Sequence, residues 1–325
     1  MAKEEKTEPT KKEKLDELIK QVNRDYGIGT VVTNETLPEV KKFSSGSYSL
    51  DRALGGGWAR GRMIEVVGNE SAGKSSVALH AVAEIQRLGG IAAYIDSEMA
   101  LDPIYAKALD VNMDTLLIAQ PFCAEHSLDI TDQFASSGLI DLVVVDSVAA
   151  LVPKAELEGD VGDAYIGLQA RIMSQAMRML TGPAARNGTT IMFINQLRDK
   201  INMWGTGGKQ ATGGNSLKYY ASQRVELYRP NKPIEKNGEP IGIQVEAKVI
   251  KNKVAPPFRT ASLMIKWGKG IDKYTDVLRV AIEKDIIIKG GAWFTYGDIK
   301  IQGEDSMAEY IKENNLYEEL VEKLK

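Results

Sequence analysis

Residues 63–88 read MIEVVGNESAGKSSVALHAVAEIQRL, and three patterns follow one another within that stretch. Met63, Ile64, Val66 and Val67 form a short β-prone run. Gly68, Asn69, Glu70, Ser71, Ala72, Gly73, Lys74 and Ser75 fit G-x-x-x-x-G-K-[ST], and Val77, Ala81, Ile85 and Leu88 then recur at helical spacing. A strand, a glycine-rich turn and a helix in that order make a phosphate loop. Glycines let the backbone wrap until successive N–H groups and the positive helix end face one anion. A glycine turn opening an ordinary helix is the bland alternative, and it does not account for both flanks. Lys74 is the candidate contact to the β and γ oxygens of a nucleoside triphosphate, Ser75 the candidate Mg²⁺ ligand, and Ser76 the last residue of the cradle.

Outward from this stretch, short β-rich runs at 91–96, 116–119, 142–146 and 190–195 alternate with helical patterns, such as Ile172, Gln175, Ala176 and Met179 before the last. The expected fold is α/β, a mostly parallel twisted sheet flanked by helices. Coverage of both faces explains the non-alternating LVVVD at 142–146. Its Asp146 supplies the expected second half of the magnesium site, where ligands gather beyond strand carboxyl ends. Asp96 and Glu98 end another strand, and Glu98 is the candidate for orienting an attacking water. Asn195 and Gln196 end a third; an amide there can feel a γ-phosphate or simply make a turn. After residue 222 the runs at 224–228, 241–250 and 261–267 predict an antiparallel extension. From about 271 a small α+β segment closes the chain. Near the start, Leu15, Leu18, Ile19, Val22 and Tyr26 predict an amphipathic helix, then a short strand at 30–33. That helix docks either on its own domain or on another subunit. The expected domains are 1–34, 35–270 and 271–325.

Composition narrows the class. The 325 residues are 43% hydrophobic and 26% charged, ordinary for a globular chain with ample core. No run approaches the roughly 18 apolar residues of a membrane span, and the charged first fourteen residues do not resemble a secretory signal. A single cysteine, Cys123, forms no intrachain disulfide and suits a reducing cytoplasm. The 41 basic and 44 acidic side chains give a net charge of -3, which excludes a uniformly basic nucleic-acid binder. Seven acidic residues against three lysines put -4 on residues 303–325, leaving a nearly neutral body able to carry a local basic track. His80 and His126 lack partners at metal-ligand spacing, so zinc is not expected.

The wording of the chain resembles the bacterial RecA recombinase family. The match runs from SSGSYSLDRALGGG (44–57) through GNESAGKSS, YIDSEMALDPIYAKALDV, VVVDSVAALVPKAELEGDVGD, RIMSQAMR, FINQLR, TGGNSLKYYAS and VIKNKVAPPF to GGAWFTY (290–296). This resemblance implies a P-loop ATPase of the RecA type with ATP and Mg²⁺ as cofactors. It would form a helical filament on single-stranded DNA, catalyse strand exchange with homologous duplex DNA, and serve recombination and repair. An SOS-type repressor and recombination mediators are the further partners implied, and no membrane. By position, Glu98 matches the water-activating glutamate and Gln196 the nucleotide-sensing glutamine. Asp102 and Tyr105 match the adenine contacts. Lys251 and Lys253 match lysines that reach a neighbouring subunit's nucleotide.

Two DNA loops follow from the same resemblance. The first, 156–172, includes Ile166 and Arg171. The second, 200–212, includes Lys200, Met203, Trp204 and Thr212, with Ser174, Arg178, Gly213, Gly214 and Asn215 flanking the phosphate path. The chain departs from the family at Met99, where a histidine is usual, at Trp204, which lies in a different local register, and at Glu304, near a position that is usually basic. It also stops at Lys325, short of an extended acidic tail. Two rivals share the ATPase core: a ring helicase, opposed by LEGDVGD and TGGNSLKYY, and an accessory paralogue that joins filaments without exchanging strands, opposed by the complete phosphate site.

Overall fold

The computed structural model describes residues 10–27, 29–33, 39–160, 163, 165, 167–199, 209–230, 232–236 and 238–324. Two compact units result, Met1–Val40 and Lys41–Lys325. In the first, α1 (Lys11–Tyr26) opens on a capping box: the Thr10 hydroxyl accepts from the Glu13 N–H while the Glu13 carboxylate accepts from the Thr10 N–H at 2.6 Å. Gly27, at φ 109°, ends it. No residue of α1 is buried, and Leu15 and Leu18 are 54% and 55% exposed. The strand expected at 30–33 is absent. Instead Asn23 clasps Val31 from both sides, its Oδ1 accepting the Val31 N–H at 2.8 Å and its Nδ2 donating to the Val31 carbonyl at 3.0 Å. Those backbone groups are thereby used locally and leave no ladder to form.

The second unit begins with β1 (Lys42–Phe43) and β2 (Trp58–Ala59), an antiparallel ribbon around α2 (Tyr48–Leu54). Then come β3 (Met63–Gly68), α3 (Lys74–Arg87), β4 (Ala92–Asp96), α4 (Pro103–Ala108), β5 (Leu117–Ala119), α5 (Ala124–Ser137), β6 (Leu142–Asp146), α6 (Lys154–Glu158), α7 (Leu168–Asn187) and β7 (Thr190–Asp199). A short β8 (Lys209–Ala211) pairs back on β7, and α8 (Ser216–Tyr220) leads to β9 (Gln223–Tyr228). The extension comprises β10 (Ile234–Lys236), β11 (Glu239–Asn252), β12 (Thr260–Lys266) and β13 (Gly270–Ile271). Strand order is β13-β12-β11-β9-β3-β7-β6-β4-β5. From β9 to β5 every neighbour is parallel, and from β11 to β13 every neighbour is antiparallel. The change of direction therefore lies between β9 and β11, one strand later than the sequence pattern implied.

Both faces of the central parallel strands β3, β4 and β6 are buried, whereas the edge strand β5 is exposed. Leu142 and Val144 of β6 belong to the core on the α3 side, whereas Val143 and Val145 belong to the core with α5 and α7. Alternate residues thus serve two cores, which is why the strand reads as a continuous apolar run. The core face of α7 is Met173, Ala176, Met177, Leu180 and Ala184, while Met179 is 49% exposed; the stripe read from sequence is rotated from the true one. A third core, including Val277, Leu278, Phe294, Met307 and Ile311, belongs to α9 (Lys273–Glu283), the sheet β14 (Ile288–Gly290), β15 (Trp293–Tyr296) and β16 (Ile299–Gln302), α10 (Glu304–Glu313) and α11 (Tyr317–Leu324). Glu304, the residue at a usually basic position, pairs with Arg279 at 2.7 Å and opens α10.

Two buried groups respond oppositely to acid. His80 in α3 accepts the Ile271 N–H on Nε2 at 2.8 Å, and burial pushes its pKa down to about 4. An unfolded histidine titrates near ~6.5, so His80 contributes stability above that pH that is lost as pH falls through about 4. Asp51, which accepts from the Ser44 hydroxyl and the Ser45 N–H, is pushed up to about 6 by burial. Its contribution is present below the unfolded carboxylate range of ~3.9 and is lost as pH rises through about 6. Urea melts from pH 7 to pH 4 will show His80→Gln flattening the acid loss by on the order of 3 kcal/mol, and Asp51→Asn steepening it.

Candidate functional site

Parallel pairing brings four strand ends to one edge. Gly68 of β3 is in register with Gln196 of β7, and Asp96 of β4 with Asp146 of β6. The loop leaving β3 has no room for side chains at two points. A Cβ on Gly68 would lie 2.4 Å from the Leu227 carbonyl oxygen, and one on Gly73, at φ 82°, would lie 2.4 Å from Ile265 Cδ1. Gly73 opens α3 with no side-chain cap and no acidic residue in the first turn, so the helix end keeps its positive character for an anion. Lys74 Nζ donates to the Asn69 carbonyl at 2.7 Å across the loop. Burial pushes its pKa below the ordinary lysine range, while Asp146, Glu98 and Glu70 pull it upward. Those carboxylates mark where Lys74 faces the strand ends.

Asp146 Oδ2 accepts two hydroxyls, from Ser75 at 2.8 Å and from Tyr94 at 2.5 Å. Burial raises the Asp146 pKa and these two hydrogen bonds oppose it; burial and Asp146 itself hold Tyr94 well above the usual phenol range, so its oxygen donates. Among the described residues no cluster of three or more His, Cys, Asp or Glu could cage a metal. A magnesium site needs no such cage, since Mg²⁺ keeps several waters and takes phosphate oxygens. The hydroxyl of Ser75 and the carboxylate of Asp146 fit that requirement.

Asp96 serves the backbone. It accepts the Ala100 N–H at 3.0 Å, the Leu101 N–H at 3.2 Å and the Gln120 amide at 3.1 Å, shaping the turn that carries Glu98. Glu98 Oε1 accepts the Ser147 hydroxyl in a short hydrogen bond and the Gln196 Nε2 at 3.3 Å. The two candidates at 98 and 196 therefore touch. Met99 is 58% exposed with φ 54°. Asp102 caps α4 by accepting from Ile104 N–H at 2.8 Å, and the Tyr105 hydroxyl meets Ser76 Oγ at 2.7 Å, next to the phosphate loop.

Behind the loop lies a polar link between strands. Glu65, 1% exposed in the middle of β3, pairs with Arg224 of β9 and accepts from Asn195 Nδ2 at 2.9 Å. Asn195 also donates to the Thr212 carbonyl at 3.1 Å, and its Oδ1 accepts the Gln196 N–H at 2.9 Å. Lys251 is in register with Arg224 and donates to the Lys218 and Tyr219 carbonyls at 2.8 and 2.7 Å, where α8 ends. Burial, with Lys253 and Arg224 nearby, lowers its pKa. Among the described residues no hydrogen bond joins Lys251 or Lys253 to the phosphate loop of the same chain.

Of the DNA-loop candidates, Ile166, Lys200, Met203 and Trp204 lie outside the described residues. Arg171, Ser174 and Arg178 share one side of α7, at intervals of three and four residues, and both arginines are exposed. Gly213 and Gly214, at φ 78° and 81°, seat the chain against Val148 and Ala170, where a Cβ would lie 2.7 and 2.8 Å from its neighbour. Thr212 N–H donates to the Gln196 carbonyl at 3.3 Å. The end of the second loop thus meets Gln196, and Gly214 just beyond it meets Ala170 near the end of the first. Sequence reasoning missed Tyr94, Ser147, Glu65 and Arg224. A charge inside MIEVVG and a phenol inside AAYID were the available signals.

The family model described as the RecA N-terminal domain matches residues 13–272, and that of the RecA C-terminal domain matches 275–325. Protein RecA of Nostoc punctiforme is 49% identical over 317 residues, covering 97% of this chain and 88% of that protein. Protein RecA of Lactobacillus johnsonii is 47% identical over 320 residues, with 97% and 89% covered. Protein RecA of Campylobacter fetus subsp. fetus is 47% identical over 321 residues, with 97% and 93% covered.

Breaking the buried pair from one side leaves a lone charge in the core, for which about 3–5 kcal/mol is typical. Arg224→Met should cost about that much in urea unfolding, and the double substitution Glu65→Leu, Arg224→Met should recover a large part of it.

Proposed function

This chain belongs to the RecA family, recombinases of DNA recombination and repair, and from that premise we propose that it binds ATP with Mg²⁺ between subunits of a helical filament on single-stranded DNA. Residues 68–76 hold the phosphates, and Asp102 and Tyr105 receive the adenine. Ser75 and Asp146 hold the magnesium, which when bound neutralises charge on the phosphate oxygens. Head-to-tail contacts that do not close propagate into an open filament. The apolar stripe of α1, with Leu15 and Leu18, is the surface that would dock on an adjoining subunit. Arg171, Ser174, Arg178 and residues 212–215 line the DNA path, joined by Ile166, Lys200, Met203 and Trp204 of the two loops.

The observation that carries this reading is the contact between Glu98 and Gln196 at the mouth of the phosphate loop. Glu98 orients the attacking water and takes its proton. Lys74, with Lys251 and Lys253 of an adjoining subunit, meets the negative charge on the transferred phosphoryl group. The bond to the β-phosphate breaks and ADP leaves with the electron pair. Gln196 has one amide group to give. When its N–H turns to a γ-phosphate, Glu98 loses a donor and becomes a better base, while the Thr212 N–H bonded to the Gln196 carbonyl carries the shift to the second DNA loop.

Electron microscopy with single-stranded DNA and a slowly hydrolysed ATP analogue should show open filaments, absent with Lys74→Ala; closed rings would favour the helicase reading. Filaments without strand exchange by the purified chain would favour the accessory reading. Glu98→Gln should form filaments yet hydrolyse ATP at least about 100-fold more slowly, in the range of general-base losses. Lys251→Ala with Lys253→Ala should keep nucleotide binding and lose about 10³-fold or more of DNA-stimulated hydrolysis. Single-strand affinity should fall with salt by about 0.7 log units per log unit for each phosphate neutralised.

A further inference from the structure

We propose that Tyr94 is a positioning residue for the metal site, holding the Asp146 carboxylate so that it serves magnesium through water. This rests on reading Ser75 and Asp146 as the magnesium residues. Tyr94 lies in β4, between Ala93 and Ile95, and is 2% exposed; Ala92, Ala93 and Ile95 of the same strand are fully buried and apolar. A phenylalanine would fill the same ring volume in that strand. The hydroxyl is therefore not required for packing, and a buried hydroxyl must find a partner. It finds Asp146 Oδ2 at 2.5 Å, a distance typical of a hydroxyl donating to an ionised oxygen.

The strand register makes this reach possible. Tyr94 is paired with Val144, two residues before the Asp96 and Asp146 pair, and its side chain lies on the α3 face with Val144. A phenol is long enough to extend from there to the strand end, where α3 presents Ser75. Ser75 Oγ donates to the same Oδ2 at 2.8 Å. Two hydroxyls thus converge on one carboxylate oxygen and use both of its lone pairs. Oδ1 is then the atom with capacity left for the hydrogens of metal-bound water. Removing the Tyr94 hydroxyl gives Oδ2 a lone pair back, unfixes the carboxylate and lets it turn toward Lys74, whose ammonium feels the Asp146 charge. Groups that hold a metal residue in this way typically contribute about 10–100-fold to metal affinity.

Tyr94→Phe deletes one oxygen and tests the idea directly. The measurement is binding of a fluorescent ATP analogue to the full chain, titrated with MgCl₂ and repeated in EDTA. Affinity in EDTA should match the unsubstituted chain, while the magnesium concentration for half-maximal enhancement should rise about 10–100-fold. Superimposable magnesium curves overturn the proposal, as does an equal loss with and without the metal, which would mark a purely structural role. On an Asp146→Asn background the added Tyr94→Phe change should shift the magnesium midpoint by less than about twofold, because the anionic acceptor is already gone; an undiminished shift there also overturns it. Ser75→Ala tests the premise separately. If that variant keeps the full magnesium response, the assignment of the metal site fails, whatever Tyr94 does.

Discussion

The structure depends on the parallel ladder that runs from β9 to β5. In a parallel sheet the carboxyl ends of all strands fall on the same edge, and pairing fixes which residues stand side by side there. Gly68 opposite Gln196 and Asp96 opposite Asp146 are consequences of that register. A slip by one residue would send every strand side chain to the other face, exchanging the two cores and burying Val145 where Asp146 now meets α3. The site is therefore as exact as the sheet beneath it. The apolar burial of Ile64, Val66, Val143, Val144 and Val145 provides that exactness.

The polar groups beneath the edge have a different energetic character. Glu65, Asp146 and Asp96 are all buried, and each has several donors. Buried charges in such networks contribute little net stability, since desolvation offsets most of the attraction. Their effect is on geometry. Asp96 fixes the turn bearing Glu98, and Glu65 with Asn195 fixes the end of β7 where Gln196 emerges. Asp96, Glu65 and Asn195 thus hold Glu98 and Gln196 in place through the backbone.

The phosphate loop, the strand-end carboxylates and the parallel sheet were legible in the sequence because each is written in consecutive residues. A glycine spacing, an apolar run and a terminal Asp need no knowledge of neighbours. The family phrases added separate expected roles for Glu98 and Gln196, ninety-eight positions apart; that the two share a hydrogen bond emerged only in the structure. Contacts that cross strands were not legible. Tyr94 looks like an aromatic core residue until β6 is known to lie beside β4, and Glu65 looks misplaced until β9 brings Arg224. Local competition misled as well. Residues 30–33 have strand character, but Asn23 takes the hydrogen bonds of Val31. On α7, several apolar stripes fit the same spacing, and only the positions of α5 and β7 select the one with Met173 and Met177 inward.

The arrangement of Lys251 bears on how assembly and hydrolysis are linked under the proposed function. Its ammonium is bound to two carbonyls at the end of α8, where a cation is favoured by the helix terminus. Neutral carbonyls hold an ammonium less strongly than an anion does, so the lysine leaves them for an anion within reach. A triphosphate on an adjoining subunit meets that condition, and a diphosphate, lacking the γ-group, meets it less well. Residues 213–215 lead directly into the same α8, and Gly213 and Gly214 pack against Val148 and the start of α7. Pulling Lys251 off α8 thus unloads the C-terminal end of a five-residue helix whose other end carries the turn at 213–215. Under the proposed function, nucleotide state at one interface and loop position in the same subunit would then share a single short element.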